Sequence, residues 1–492
     1  MNTPRPGSAT DSALSATGAK LVVLVLCLGS LSAALTQTLV IPIQGELPQL
    51  LNTSASNASW VLTATLLAGA VAMPVTGRVA DIVGKKPVLV VSASILVVGS
   101  LLCAISSSLP VVLTGRVLQG LAMGFIPVAI SLVREVAPKE MVNTATAAVS
   151  ATMGVGGALG LPLSAWVAQN FDWHGLFWMA AGLALLMAVL SVLLLPHVKD
   201  EHPARMDYVG AIGLAIGLVS VLVGISKGTG WGWTDGKTIG SIVFGLVVLV
   251  LWGVYELRHH DPLVDLRTTA KRPVLLTNIA AVLIGFGMMA QSIAVPQLLQ
   301  LPEATGFGLG QSILQAGLWM APGGIMMMLF APVSSKMLTR FGARITLSVG
   351  AFVIAAGYLV GVFLTAAPWQ LLLATCVICA GVGIGYAAMP TLILENVPMH
   401  EAGSSVGLNG LMRSMGTTVA GAVMAAVLTA QTVDLAPGVT IPSHDAFRIC
   451  FIIAAAAAAL GAIVVLLIPR SARGASGPAD LGVDDAVAGT RV

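Results

Sequence analysis

In a chain of 492 residues whose charged side chains make up only 9%, chemistry can happen at few places. The densest polar cluster of the first half is the run 77–87, Gly77-Arg78-Val79-Ala80-Asp81-Ile82-Val83-Gly84-Lys85-Lys86-Pro87, set between two long apolar stretches. Gly77 and Gly84 let the backbone turn where one helix hands over to the next. Asp81 is an acid at a helix end, able to pair with a base or to cap the N-terminus of a neighbouring helix. Lys85 and Lys86 mark a cytoplasmic side. By spacing alone the run also reads as a charged turn that only fixes orientation. A second cluster is Arg116, Gln119, Gly120 and Met123; Arg116, Gln119 and Met123 recur at helical spacing and share a face. An arginine inside an apolar span is costly, so it faces a bundle interior or a wet cavity unless it snorkels to the headgroups. A guanidinium stays charged; it can hold an anion or tune a nearby acid, but cannot itself carry a proton. Asn409 and Arg413, spaced i, i+4, form a third pair. Thr36, Gln37, Gln291, Tyr386 and Met389 add polar or adaptable candidates for a central cavity.

The elements that must position these groups follow from composition. Hydrophobic residues are 57% of the chain and the mean hydropathy is +0.94, more apolar surface than a soluble fold can hide, so the chain is expected to be an all-α polytopic membrane protein. Fourteen apolar runs of about 20 residues are expected. Arg78, Lys85, Lys86, Arg134, Lys139, Lys199, Arg205, Arg258, Arg267, Lys271, Arg272, Lys336, Arg340 and Arg344 fall in alternate loops, which puts both termini in the cytoplasm and requires an even number of spans. The cysteines Cys27, Cys103, Cys376, Cys379 and Cys450 all lie in apolar runs and read as buried thiols, not as a metal site.

The chain also repeats itself. Gly120-Leu121-Ala122-Met123-Gly124-Phe125 with Pro127 recurs as Gly381-Val382-Gly383-Ile384-Gly385-Tyr386 with Pro390. The first cluster recurs more weakly as Arg340-Phe341-Gly342-Ala343-Arg344, with Thr339 in place of the acid. A six-helix half duplicated in parallel, with two helices inserted between the copies, explains both matches. The expected division is a disordered cytoplasmic N-terminus at 1–19, an N-terminal half at 20–195, two inserted helices with linkers at 196–271, a C-terminal half at 272–469 and a cytoplasmic tail at 470–492.

Four stretches resemble one family. Gly77, Asp81, Gly84, Lys85 and Lys86, with Leu89 following, resemble the loop signature between the second and third helices of the major facilitator superfamily, where the loop is a conformational latch. Arg116-x-x-Gln119-Gly120 resembles its fourth-helix signature, whose arginine is implicated in coupling to protons. Gly154-x-Gly156-Gly157-x-x-Gly160-x-Pro162 resembles the signature of its antiporter branches: Gly156 and Gly160 give a bare helix face, and Pro162 a kink. Trp173-His174-Gly175-Leu176-Phe177-Trp178 resembles the aromatic turn of the drug:proton antiporter branch with fourteen helices.

The resemblance implies a proton-driven exporter of amphipathic small molecules, working by alternating access and conferring antibiotic resistance. It further implies a monomer in the cell membrane that uses no cofactor beyond the proton gradient, engages substrate, protons and lipid, and binds no nucleic acid. One residue departs from the branch: Thr36 stands where the first helix usually carries an acid, and no Asp or Glu lies mid-span. Binding an organic cation without a carboxylate is unfavourable in a low-dielectric cavity, which biases the expectation toward neutral, zwitterionic or anionic substrates. The rival readings are export of one endogenous metabolite or lipid, and a membrane-embedded enzyme. Against the enzyme, the chain has no His/Cys/acid cluster, no G-x-S-x-G and no phosphate loop.

Overall fold

In a bilayer every backbone amide must find its partner within the chain, so long apolar runs become helices. The computed structural model describes residues 16–41, 43, 46–197, 205–436 and 439–469. Thirteen helices among them are long and apolar enough to span a membrane. The N-terminal half holds α1 (Ala16–Thr38), α2 (Trp60–Val83), α3 (Lys85–Ile105), α4 (Leu109–Val136), α5 (Lys139–Asn170) and α6 (His174–Leu194). The inserted pair is α7 (Tyr208–Trp231) and α8 (Gly236–Glu256). The C-terminal half holds α9 (Arg272–Gln300), α10 (Ile313–Phe363), α11 (Pro368–Asn396), α12 (Ala402–Ala430) and α13 (His444–Leu466).

Helix α10 is 51 residues long, about 75 Å at 1.5 Å per residue, against a hydrocarbon core of about 30 Å. It breaks at Gly342, whose φ of 79° and ψ of 168° lie outside the helical region. The expected count of fourteen spans rests on taking its two arms separately. Helix α1 begins at Ala16, so 16–19 are helical and the disorder expected over 1–19 does not reach them. Residues 1–15, linker residues 198–204 and the tail 470–492 lie outside the described residues. A short antiparallel hairpin, β1 (Thr432–Ala436) and β2 (Val439–Pro442), joins α12 to α13.

The two largest apolar cores are built mainly from α1, α3 and α4 and from α9, α10, α11 and α13, and each takes in residues of the other half at the seam. The inserted pair lies against the seam between the halves. Leu214, Leu218 and Leu222 of α7 pack with Leu67 and Ala70 of α2 and with Leu408 and Leu411 of α12. Lys227 pins the other end of α7, its Nζ 2.5 Å from Ser59 Oγ and 4.4 Å from the centre of the Trp60 ring.

Candidate functional site

The seam between α2 and α12 is built from a face repeating at i, i+4, i+8. Met73, Gly77 and Asp81 of α2 meet Gly403, Gly407 and Gly410 of α12. A Cβ on Gly403 would stand 2.6 Å from the Gly77 carbonyl, and one on Gly77 would overlap the Gly403 carbonyl, so only glycine lets the backbones touch. That approach delivers the buried Asp81 carboxylate to the first turn of α12. Oδ1 accepts from the Gly403 amide at 2.9 Å and Oδ2 from the Ser404 amide at 2.8 Å. The first amides of a helix have no internal partner and carry its positive dipole end, so a carboxylate suits them.

Gly84 ends α2 with φ 91° and hands over at once to α3, which places Lys85 behind Asp81. The Lys85 ammonium lies 3.9 Å from Asp81 and forms a close salt bridge with Glu135 of α4. Arg134 sits within electrostatic reach of both Glu135 and Glu395, the latter on α11 of the other half. The structure thus brings Gly77, Asp81, Gly84 and Lys85 into one clasp. Lys86 is half-buried and faces away, lining an open groove with Pro87 and His197.

Arg116 does not snorkel: it is 1% exposed. Its Nε donates to the Val61 carbonyl at 2.9 Å, and one terminal nitrogen donates to the Thr36 carbonyl at 2.9 Å and to Gln119 Oε1 at 2.7 Å. Gln119 passes the chain on to Ser100 Oγ at 3.0 Å. Thr36 lies in the last turn of α1, whose free carbonyls form the negative end of that helix. The helix end therefore faces the guanidinium at the place where the resembled branch usually carries an acid, while the Thr36 hydroxyl turns back to Ala33. Gly120 makes this possible, because a Cβ there would stand 2.7 Å from Ala68 and hold α4 away from α2. Gln37 Nε2 reaches Met123 Sδ at 2.6 Å beside the same knot.

Between the halves lies a gap of about 10 Å³, room for roughly one water. Tyr386, Asn409 and Arg413 line it, with Met73 and Met153. The Arg413 guanidinium lies 4.6 Å over the Tyr386 ring, and Asn409 donates to Asn278 at 3.0 Å. The other cavity candidates are elsewhere. Thr36, Gln37 and Met123 gather around Arg116. Gln291 bonds Cys379 and Tyr358 inside the C-terminal half. Met389 is fully buried in that half's core.

On the second seam, between α5 and α10, Pro162 packs against Gly317 and Gly154 against Met327 of α10, while Gly156 and Gly160 face Ala34 and Thr38 of α1 within the same half. Elsewhere on this seam the hydroxyls of Thr144 and Ser335 meet at 2.7 Å across the halves. Sequence reasoning missed that pair, and also Met73. The i, i+4, i+8 spacing of Met73 with Gly77 and Asp81 was the available signal for the latter.

A family model described as Major Facilitator Superfamily matches residues 26–421 and 280–488. The chain is 27% identical over 381 residues to the multidrug resistance protein B homolog of Mycobacterium tuberculosis, covering 76% of this chain and 69% of that protein. It is 25% identical over 418 residues to the tetracenomycin C resistance and export protein of Streptomyces glaucescens, covering 84% and 77%. Among solved structures, the proton:xylose symporter XylE superposes with a TM-score of 0.65 at 15% identity, over 93% of this chain and 97% of that one.

Proposed function

The chain belongs to the Major Facilitator Superfamily, a family of transporters and not of enzymes, and on that premise we propose that it exports amphipathic small molecules by proton antiport across the cell membrane. The observation that carries the reading is the clasp. Asp81 of one half caps a helix of the other, which closes the cytoplasmic side of a gap lined by both halves. An alternating-access carrier needs such a contact, made in one state and broken in the other. Two charge-assisted hydrogen bonds, each about 1.5–3 kcal/mol, are enough to empty the opposite state.

Protonating Asp81 would weaken both bonds and release the cytoplasmic ends, so the clasp is where a proton can be exchanged for a change of state. Arg116, held by Gln119 with Gly120 as the contact point, acts as the fixed tie that keeps α1, α2 and α4 moving as one body. The Lys and Arg pattern supports both termini being cytoplasmic, and nothing in this mechanism needs a second copy. The test is transport in proteoliposomes under an imposed pH gradient, with ethidium, a neutral amphiphile and an amphipathic anion. Gradient-dependent movement of at least one compound is expected. Movement of none, or movement indifferent to the gradient, would overturn the reading.

A further inference from the structure

Helix α12 carries Arg413 to the middle of the bilayer: it lies about 17 Å along the helix from Ala402 at 1.5 Å per residue, roughly half of a 30 Å hydrocarbon core. A charge at that depth is expensive and conventionally comes with a partner. None of the residues lining the gap around Arg413 is acidic. The Tyr386 ring lies beside it, its centre 4.6 Å from the guanidinium carbon. Stacking fixes the plane of the guanidinium and leaves its N–H edge, the part that binds oxyanions in a fork, available.

The other polar groups in the gap also offer donors. The Tyr386 hydroxyl points to Met153 Sδ at 3.4 Å, a weak acceptor that a better one would displace. Asn409 uses one amide hydrogen on Asn278 at 3.0 Å and keeps a second. The remaining lining is apolar and adaptable, with Met73, Ile126 and Met153 supplied by α2, α4 and α5. A mostly apolar wall with a few convergent polar groups is how a small-molecule site is built, and here those groups are a cation and hydrogen-bond donors.

We propose that this gap is the recognition site for the negatively charged group of an amphipathic organic anion, a carboxylate or sulfonate held by Arg413, Tyr386 and Asn409, with the apolar body against Met73 and Met153. The assignment rests on the export reading and names its substrate class. Both halves line the site, α2, α4 and α5 from one and α11 and α12 from the other, so rocking them apart enlarges it. In the clasped state it has room for roughly one water.

Taurocholate, a sulfonate with a rigid apolar body, is the anionic probe, and ethidium the cationic one. Binding of taurocholate to the detergent-purified protein and transport of both probes in proteoliposomes are measured for the native protein, Arg413→Gln and Arg413→Lys. Removing a charged partner typically costs about tenfold or more in affinity. Arg413→Gln is expected to weaken taurocholate binding about tenfold and to raise, not lower, movement of the cationic ethidium, because a like charge leaves the cavity. Arg413→Lys should recover part of the binding, since it keeps the charge and loses the fork. Taurocholate binding that is absent in the native protein, or unchanged in Arg413→Gln, overturns the site even where ethidium is exported. An equal loss for both probes in Arg413→Gln and Arg413→Lys makes Arg413 a packing residue and also overturns it. Arg413-dependent binding of taurocholate without transport of either probe would keep the site and remove the export reading.

Discussion

Gly84, with φ 91° and ψ 155°, separates α2 from α3 in the N-terminal half, and Gly342, with φ 79° and ψ 168°, breaks α10 at the matching place in the C-terminal half. The fourth helix of the first half loosens into a 3-10 turn at Ala122–Gly124, and its counterpart α11 breaks at Tyr386 and Ala387. The backbone is thus duplicated down to its irregularities, but the charges of Asp81, Lys85 and Arg116 are not. Asp81 reaches across the seam to α12, whereas Thr339 folds back on the Ser335 and Lys336 carbonyls of its own helix. Lys85 is matched by Ala343, and Arg116 by Val377. One seam is held by a carboxylate on a helix dipole, and the other by two neutral hydroxyls and close-packed apolar contacts. The first contact contains an ionisable group, and the hydroxyl pair of the second does not.

The harshest trial of this asymmetry is to remove a matched residue from each half. Arg116→Ala strands the Thr36 carbonyl and breaks the chain through Gln119 to Ser100. Buried polar groups left without partners cost about 3 kcal/mol or more in such networks, a factor above about a hundred. Transport normalised to protein in the membrane is expected to vanish in Arg116→Ala and to be slight in Arg116→Lys, which keeps the charge without the planar fork. Val377→Ala, at the matching place, should change it less than about twofold, as truncation of one apolar side chain usually does. Equal loss in the two halves would mean that the duplicated position, and not its charge, carries the role.

A smaller effect separates the two clasps. Asp81→Asn keeps one acceptor but turns an amide group toward a helix N-terminus that offers only donors. A loss of about 2 kcal/mol is expected, shifting the balance of open and closed cytoplasmic ends by roughly thirtyfold. Thr339→Ala should shift it by less than about twofold. Spin labels at Val83 and Met399, both exposed beside the clasp, would report the shift as a longer distance in Asp81→Asn alone. A shift of equal size in Thr339→Ala would erase the distinction between the seams.

What could be read in advance follows the physics that decides each feature. The spans were readable because lipid leaves a helix as the only solution for a long apolar run. The break at Gly342 was readable as a copy of the 77–87 run. Asp81 as a cap was one of two outcomes its position allowed, and the structure realises it with Lys85 also nearby. The partners of Arg116 were less visible. Backbone carbonyls carry no sequence signal, so nothing at Val61 or Thr36 announced that the end of α1 would stand in for an acid. Gln291 and Met389 were assigned to the cavity and lie inside the C-terminal half because a helix apolar all round does not declare which face meets the seam. The Thr144–Ser335 contact depends on how two distant helices register, which neither segment encodes alone.

That contact gives the mildest trial. Thr144 and Ser335 are neutral, their oxygens are 2.7 Å apart, and Thr144 itself is exposed to solvent. Thr144 is exposed while Ser335 is buried, so each single change leaves at most one neutral hydroxyl without its partner. A neutral hydrogen bond of this kind is worth about 0.5–1.5 kcal/mol at most, and here the lower end applies. Thr144→Val keeps the shape and removes the hydroxyl, and Ser335→Ala does the same from the other side. Each single change, and the two together, should alter the transport rate by less than about threefold, with the double variant no worse than the worse single one, since both delete the same bond. The α5–α10 seam would remain packed through Pro162 on Gly317 and Met327 on Gly154. Loss of transport in Thr144→Val on the scale of Asp81→Asn would show that the hydroxyl pair is a second latch. The two seams would then open by equivalent devices, and the proton would no longer have a single place at which to act.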